Sequence, residues 1–165
     1  MPQNSVIGYL VTFIVSLIPI IELRGAIPIG VFTFHLTYLE SFVIAVIGNC
    51  IPIYFIVKYI GPLFDFFGKF KPFKVIIDWA TEKATNKIKE DERIQKYTFF
   101  ALFLFVAIPL PGTGAWTGSL IANFLKLPPK KAFPPLALGV LTAGIIILTG
   151  TAIAQGGINY LFQRV

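Results

Sequence analysis

Two charged residues, Glu22 and Arg24, have the clearest potential for chemistry, because they are the only charged side chains among the first 39 residues. A carboxylate can carry a proton, and a guanidinium binds phosphate or carboxylate through several donors. A charge at membrane depth costs roughly 2.5–3.5 kcal/mol on insertion scales, so the pair needs a reason to be there. Pro19 and Pro28 flank the pair, and proline breaks helices. We therefore predict that residues 18–30 form a loop between two half-helices, and that this loop is the working site.

A second loop carries the remaining candidate groups. Residues 109–114 read P-L-P-G-T-G, and a Trp follows at position 116. Glycines let a ligand approach the backbone closely, threonine can donate a hydroxyl, and the amino end of a helix that starts at such a loop attracts anions. Asn49 interrupts a long apolar segment and is expected to make a polar contact inside the bundle. The predicted substrate or coupling residues are Glu22, Arg24, Gly25, Asn49, Gly112, Thr113, Gly114 and Trp116.

Composition sets the fold class. The chain has 165 residues, is 56% hydrophobic, and has a mean hydropathy of +0.79, far above a soluble protein. Its apolar runs are continuous, as in residues 41–57 and 136–153. These features predict a single domain that is an all-α integral membrane protein.

The two loops lie in two halves with the same order of segments. Pro109, Ile108 and Phe124 each follow Pro19, Ile18 and Phe34 by 90 residues. Matching interrupted apolar segments in two halves point to a transporter site. We predict an inverted repeat, in which each half is a re-entrant helical hairpin plus a transmembrane helix. The predicted limbs and crossings are Ser5–Ile20, Pro28–Leu36, Tyr38–Tyr59, Thr98–Ile108, Ala115–Leu125 and Ala132–Ala154. If every limb spanned the membrane fully, the topology would have the same parity, so only limb length and loop chemistry favour re-entry.

The linker between the halves predicts the orientation. Apolar residues recur at helical spacing from Phe73 to Ile88, which indicates an amphipathic helix on the membrane surface. With this topology, 12 of the 14 basic residues fall on one face. The positive-inside rule makes that face cytoplasmic in the cell membrane. The prediction is a first repeat at residues 1–60, a cytoplasmic linker at 61–96, a second repeat at 97–155 and a tail at 156–165, with both termini outside.

Several function classes find no support in the residue types. Aspartic chemistry needs two carboxylates, and Glu22 alone is predicted at depth. Cys50 and His35 are the only cysteine and histidine, so we expect no disulfide, metal, cofactor or enzymatic activity. Acidic residues dilute the lysines of the linker, which argues against nucleic acid.

The two motifs carry a resemblance. E-L-R-G-A-I-P at residues 22–28 and P-L-P-G-T-G-A-W-T-G at residues 109–118 resemble the family of putative small multidrug export proteins. That family is similar to the DedA (SNARE-associated, VTT) superfamily, which implies two inverted re-entrant hairpins and movement of polyprenyl-phosphate or other lipids with proton coupling. The resemblance implies that Glu22 and Arg24 match the acidic and basic positions of the first re-entrant loop. DedA members usually place an arginine in the second loop, where this chain has none.

Three functions stay open on this evidence. The first is a small secondary transporter or exporter with a midplane site, moving a small molecule and coupled to protons through Glu22. The second is a flippase or scramblase of anionic lipids, and the third is a membrane scaffold. The bland alternatives are a structural ion pair between Glu22 and Arg24, and an ordinary tight turn at residues 109–114. The expected partners are membrane lipids, the substrate, and a second copy of the chain, with Ser119, Ala122, Gly139 and Ala143 as close-packing positions of a homodimer.

Overall fold

The computed structural model describes residues 2–60, 92–110 and 112–162. Within these ranges it contains helices and no strand, which confirms the all-α prediction for the described part of the chain. The helices are α1 (Pro2–Leu17), α2 (Glu22–Pro28), α3 (Tyr38–Phe55), α4 (Glu92–Ala107), α5 (Ala115–Phe124) and α6 (Pro129–Phe162). Single π-helical turns extend α2 at Ile29–Thr33 and α3 at Ile56–Ile60. The predicted amphipathic helix at residues 73–88 lies outside the described residues.

Two helices are long and apolar enough to cross a membrane. One is the 23-residue run Tyr38–Ile60, formed by α3 and its π-turn, and the other is the 28-residue run Pro129–Gly156 of α6. Helix α3 begins with a capping box, in which the Thr37 N–H donates to Glu40 Oε2 at 2.9 Å and the Glu40 N–H donates back to Thr37 Oγ1 at 3.2 Å. The two continuous crossings predicted from the sequence are thus helices here.

In the first half, α1 lies beside α3 in the same direction. Near their amino ends the Tyr9 hydroxyl donates to Glu40 Oε1 at 2.6 Å. Farther along, a Cβ on Gly48 would lie 3.0 Å from the carbonyl oxygen of Phe13, so the helices touch there. The chain then turns at residues 18–21, and Phe34 returns to a point beside Gly8. The turn therefore lies level with the middle of the run Tyr38–Ile60.

The second half repeats this packing with equivalent residues. A Cβ on Gly139 of α6 would lie 2.9 Å from the carbonyl oxygen of Phe103 in α4. Phe103 follows Phe13 by 90 residues and Gly139 follows Gly48 by 91. Helix α5 then returns, with Gly118 packed against Val106 and Leu136. Each hairpin thus lies against the long helix that follows it.

The halves join where α3 and α6 pack in opposite directions. The Tyr38 hydroxyl at the start of α3 donates to Gln155 near the end of α6, and Gly144 packs against Phe42 and Val46. Buried apolar residues from α2, α3, α4 and α6 form one hydrophobic core that includes both halves. They include Leu23, Ile27, Ala45, Ile53, Leu102, Val106, Leu136 and Val140.

Three expectations about boundaries and packing were wrong. The predicted loop at residues 18–30 is a break of only four residues, 18–21, because α2 already begins at Glu22. Pro28 ends α2 instead of starting a helix, and a π-turn follows it. The small residues proposed for a dimer contact are buried inside the single chain, so they cannot pack against a second copy. These are Ser119, Ala122, Gly139 and Ala143.

Candidate functional site

The Glu22 carboxylate caps a helix that begins more than 90 residues later. Its side chain is only 4% exposed, and Oε1 accepts the backbone N–H of Trp116 at 3.2 Å. Gly114, the residue at the N-cap of α5, supplies no side-chain cap of its own. Because the amino end of a helix carries partial positive charge and unpaired N–H groups, the carboxylate complements it in both charge and hydrogen bonding.

Arg24, also in the first turn of α2, binds the loop that precedes α5. Its guanidinium donates through Nη1 to the carbonyl oxygen of Leu110 and through Nη2 to that of Thr113. Nη2 also lies 3.0 Å from Thr113 Oγ1. The planar fork of an arginine suits two acceptors at once, whereas a lysine would present a single point charge.

Thr113 closes the loop on itself as well. Its hydroxyl lies 2.9 Å from the carbonyl oxygens of both Ile108 and Leu110, and it accepts the Leu110 N–H at 3.2 Å. The Thr113 N–H also donates to the Leu110 carbonyl oxygen at 3.2 Å, which is the hydrogen bond of a tight turn, so that alternative is compatible with this loop.

Glu22 and Arg24 do not pair with each other. Among the described residues neither forms a salt bridge within 4.0 Å, and each instead binds main-chain groups of the second loop. The hypothesis of a structural ion pair is therefore wrong for this conformation. The structure joins the two interrupted segments through two separate contacts of opposite polarity.

We call the contacts of Glu22 and Arg24 with Leu110, Thr113 and Trp116 the junction. Backbone with positive φ lies on both sides of it. Ile20 has a φ of 80° and Glu22 a φ of 51°, which is unusual for residues with a Cβ. In the second loop, Gly112 has a φ of 83° and Gly114 a φ of 150°, which glycine adopts without cost. Ile20 is also 93% exposed. Strain of this kind persists only where the surroundings impose it, and it is frequent at functional sites.

The other predicted residues lie at different distances from the junction. Gly25 is half-buried, and a Cβ there would collide with the Ile21 side chain. Asn49 is buried in α3 with its Oδ1 unpaired, and no hydrogen bond joins it to Glu22, Arg24 or the second loop. The Trp116 Nε1 is likewise buried without a partner. At the amino end of α2, the Glu22 N–H donates to the carbonyl oxygen of Ile18 at 3.1 Å, and the Gly25 N–H donates to that of Ile21 at 3.2 Å.

Sequence reasoning missed a buried hydroxyl pair above the junction. Thr12 Oγ1 and Ser41 Oγ are both buried and unpaired, and both face Gly30. A Cβ on Gly30 would lie 2.9 Å from the first and 2.6 Å from the second. The four-residue spacing of Thr12 and Ser16 in an apolar helix could have indicated an inward polar face. In the described ranges, no group of three or more His, Cys, Asp or Glu side chains could hold a metal ion.

Comparisons with known proteins give one match. A family model described as putative small multi-drug export protein matches residues 22–146, roughly three quarters of the chain, and the match includes Glu22, Arg24 and the second loop. No curated protein matches the chain, and no solved structure matches it.

Proposed function

The chain belongs to the family of putative small multi-drug export proteins, and we propose that it is a small secondary transporter whose cargo passes between the break at residues 18–21 and the loop at 108–114. The observation that carries the proposal is the buried contact between the Glu22 carboxylate and the Trp116 N–H. A charged group that is costly to bury ends on a helix start in a segment far along the sequence. That arrangement suits a junction that must open and close.

The architecture we propose is an inverted repeat of two re-entrant hairpins. The parallel packing of α1 on α3 and of α4 on α6 supports it, since both pairs touch through a phenylalanine carbonyl and a glycine. The opposite directions of α3 and α6 support the inversion. Broken helices near the midplane are the usual site of substrate and coupling ion in transporters of this type.

In this conformation the polar groups of the junction form hydrogen bonds with one another. Glu22 occupies the amino end of α5, and Arg24 is bound to two carbonyl oxygens. We propose that this is a closed state, in which the carboxylate takes the place that an anionic group of a cargo would otherwise fill. When the hairpins separate, Glu22, Arg24 and the start of α5 are all released toward the space between them.

Protonation of Glu22 would couple this opening to a proton gradient. A neutral carboxyl loses its favourable interaction with the helix amino end, so the contact to Trp116 weakens and the separated state gains population. Gradient-driven transport requires only that one state bind the proton better than the other.

The test is flux in proteoliposomes under an imposed pH gradient, with ethidium as a lipophilic cation, carboxyfluorescein as an anion and an internal pH dye. Glu22→Gln keeps an acceptor for the Trp116 N–H but cannot ionise, so we expect it to fold and to lose gradient-driven flux. Glu40→Gln is the matched control, because Glu40 is a membrane-helix carboxylate that binds Tyr9 and Thr37 away from the junction. Wild-type flux in Glu22→Gln would remove Glu22 from the mechanism.

Lipid flipping is the second candidate, and one observation favours it. Apolar residues on both sides of the junction are open to the outside of the chain: Ile20 is 93% exposed and Leu110 is 55% exposed. Arg24, which binds Leu110, therefore lies close to where acyl chains would run. Reconstituted protein that speeds loss of a fluorescent anionic phospholipid from the inner leaflet, and moves neither soluble probe, would favour this function over the first.

A further inference from the structure

A cavity separate from the junction lies between the first turns of α4 and the start of α6. Its volume is about 390 Å³. The side chains of Lys96, Lys130 and Lys131 line it, and all three are exposed. Its inner wall is apolar, formed by residues such as Leu102, which is 3% exposed, and the half-buried Phe99. The cavity thus combines a basic rim with an apolar inner wall.

The basic rim is not a by-product of the internal repeat. Position 40 precedes Lys130 by 90 residues, and it holds Glu40, whose carboxylate is bound by Tyr9 and Thr37. At equivalent ends of the two halves the charge is therefore reversed. One end of the bundle carries a filled acidic contact, whereas the other carries a basic cavity.

We propose that this cavity binds the headgroup of an anionic glycerophospholipid, with one acyl chain lying along Phe99 and Leu102. The level of the cavity along the membrane helices and the chemistry of its lining both support this occupant. The lysines stand at the starts of two helices that run on into apolar sequence, which is the level of the headgroups in a bilayer. The volume falls in the range of small-molecule sites, and basic pockets between membrane helices suit lipid phosphates. The proposal concerns binding alone, so it does not depend on what the junction transports.

The experiment measures lipid binding to the full chain purified in neutral detergent. Thermal unfolding and native mass spectrometry are recorded with phosphatidylglycerol, with phosphatidylcholine of the same acyl chains, and with inorganic phosphate. We expect phosphatidylglycerol to bind and to raise the unfolding temperature, whereas the other two do neither. The variant Lys96→Gln/Lys130→Gln/Lys131→Gln should bind phosphatidylglycerol at least tenfold more weakly, since each lysine near an anionic headgroup contributes about fivefold.

Lys126→Gln is the matched control, because Lys126 is an exposed lysine at the end of α5 that does not line the cavity. It should retain wild-type lipid affinity. Equal binding of both phospholipids, equal loss in the triple variant and the control, or unchanged binding in the triple variant would each overturn the proposal. A full effect of inorganic phosphate would assign the cavity to a soluble anion instead. Phe99→Ala adds a second arm, since it should weaken lipid binding with no change of charge.

Discussion

The Glu22 carboxylate lies directly against Gly114, so close that a Cβ on the glycine would be 2.7 Å from Oε1. The contact joins the start of α2 to the start of α5 without any gap between them. It makes the absence of a side chain at position 114 as important as the presence of the carboxylate at position 22.

The first prediction tests this fit. Gly114→Ala should destabilise the protein by about 1–3 kcal/mol, because the added methyl overlaps the carboxylate, and it should also lower flux. Gly112→Ala is the control: Gly112 has a positive φ as well, but no atom lies within 4 Å of its Cβ position. Thermal unfolding in detergent measures both. If the two variants lose equal stability, backbone strain alone explains the glycines and the carboxylate contact is unimportant.

The second prediction concerns the shape of Arg24. Arg24→Lys keeps the charge but cannot reach the carbonyl oxygens of Leu110 and Thr113 together, so stability should fall by about 1.5–3 kcal/mol. The Lys126→Arg variant makes the reverse change at an exposed position and should leave stability unchanged. Unfolding midpoints in detergent compare the two, and a wild-type midpoint for Arg24→Lys would show that the fork geometry is not needed.

The third prediction treats the two glycine crossings as equivalents. Gly48→Ala and Gly139→Ala should each be destabilising, since their methyl groups would lie 3.0 Å and 2.9 Å from a carbonyl oxygen of the facing helix. The methyl group of Gly48→Ala would also collide with Ser16 Oγ, and that of Gly139→Ala would lie 2.7 Å from Val106 Cβ. Gly150→Ala has open space around it and should stabilise α6 by about 0.5–1 kcal/mol. A large loss in only one of the first two variants would argue against equivalent roles in the two halves.

The fourth prediction is the orientation in the membrane. In a Cys50→Ala background, Ser5→Cys and Gln163→Cys should react with an impermeant maleimide in intact cells, because both termini are expected outside. Lys83→Cys should react only after the membrane is opened. Labelling of Lys83→Cys in intact cells would reverse the topology, and labelling of the two termini on different sides would exclude an even number of crossings.

Most of what the sequence could predict about the fold came from the positions of the prolines and the lengths of the apolar segments. Pro19 indicated the place of the first break, and the long, mostly apolar run after Glu40 predicted the α3 crossing. The start of α2 at Glu22 could not be read in this way. Glu22 has a positive φ, and α2 begins there, eight residues before the predicted end of the loop. No local sequence pattern predicts a positive φ for a glutamate.

The candidate site was half predictable for a related reason. Charge at depth singled out Glu22 and Arg24 by type, and Thr113 and Trp116 were also named, but most of the contacts between them use main-chain atoms, and no side-chain pattern predicts which ones. The small residues led to a wrong prediction of a dimer contact, since a glycine such as Gly139 allows close packing either within one chain or between two chains. Only the position of α4 decides that it packs within the chain, against Val106.

Helix α2 binds the second loop mainly through main-chain carbonyl and amide groups of that loop. Most side chains of the loop can therefore be substituted without loss of these contacts. Leu110 is bound through its carbonyl oxygen, which every amino acid has, and Trp116 through its backbone N–H, which every amino acid except proline has. Replacing such a side chain would alter the lining of the proposed passage and keep these main-chain contacts, whereas inserting or deleting one residue would shift all of them. We therefore expect side-chain substitutions in this loop to be tolerated better than changes in its length.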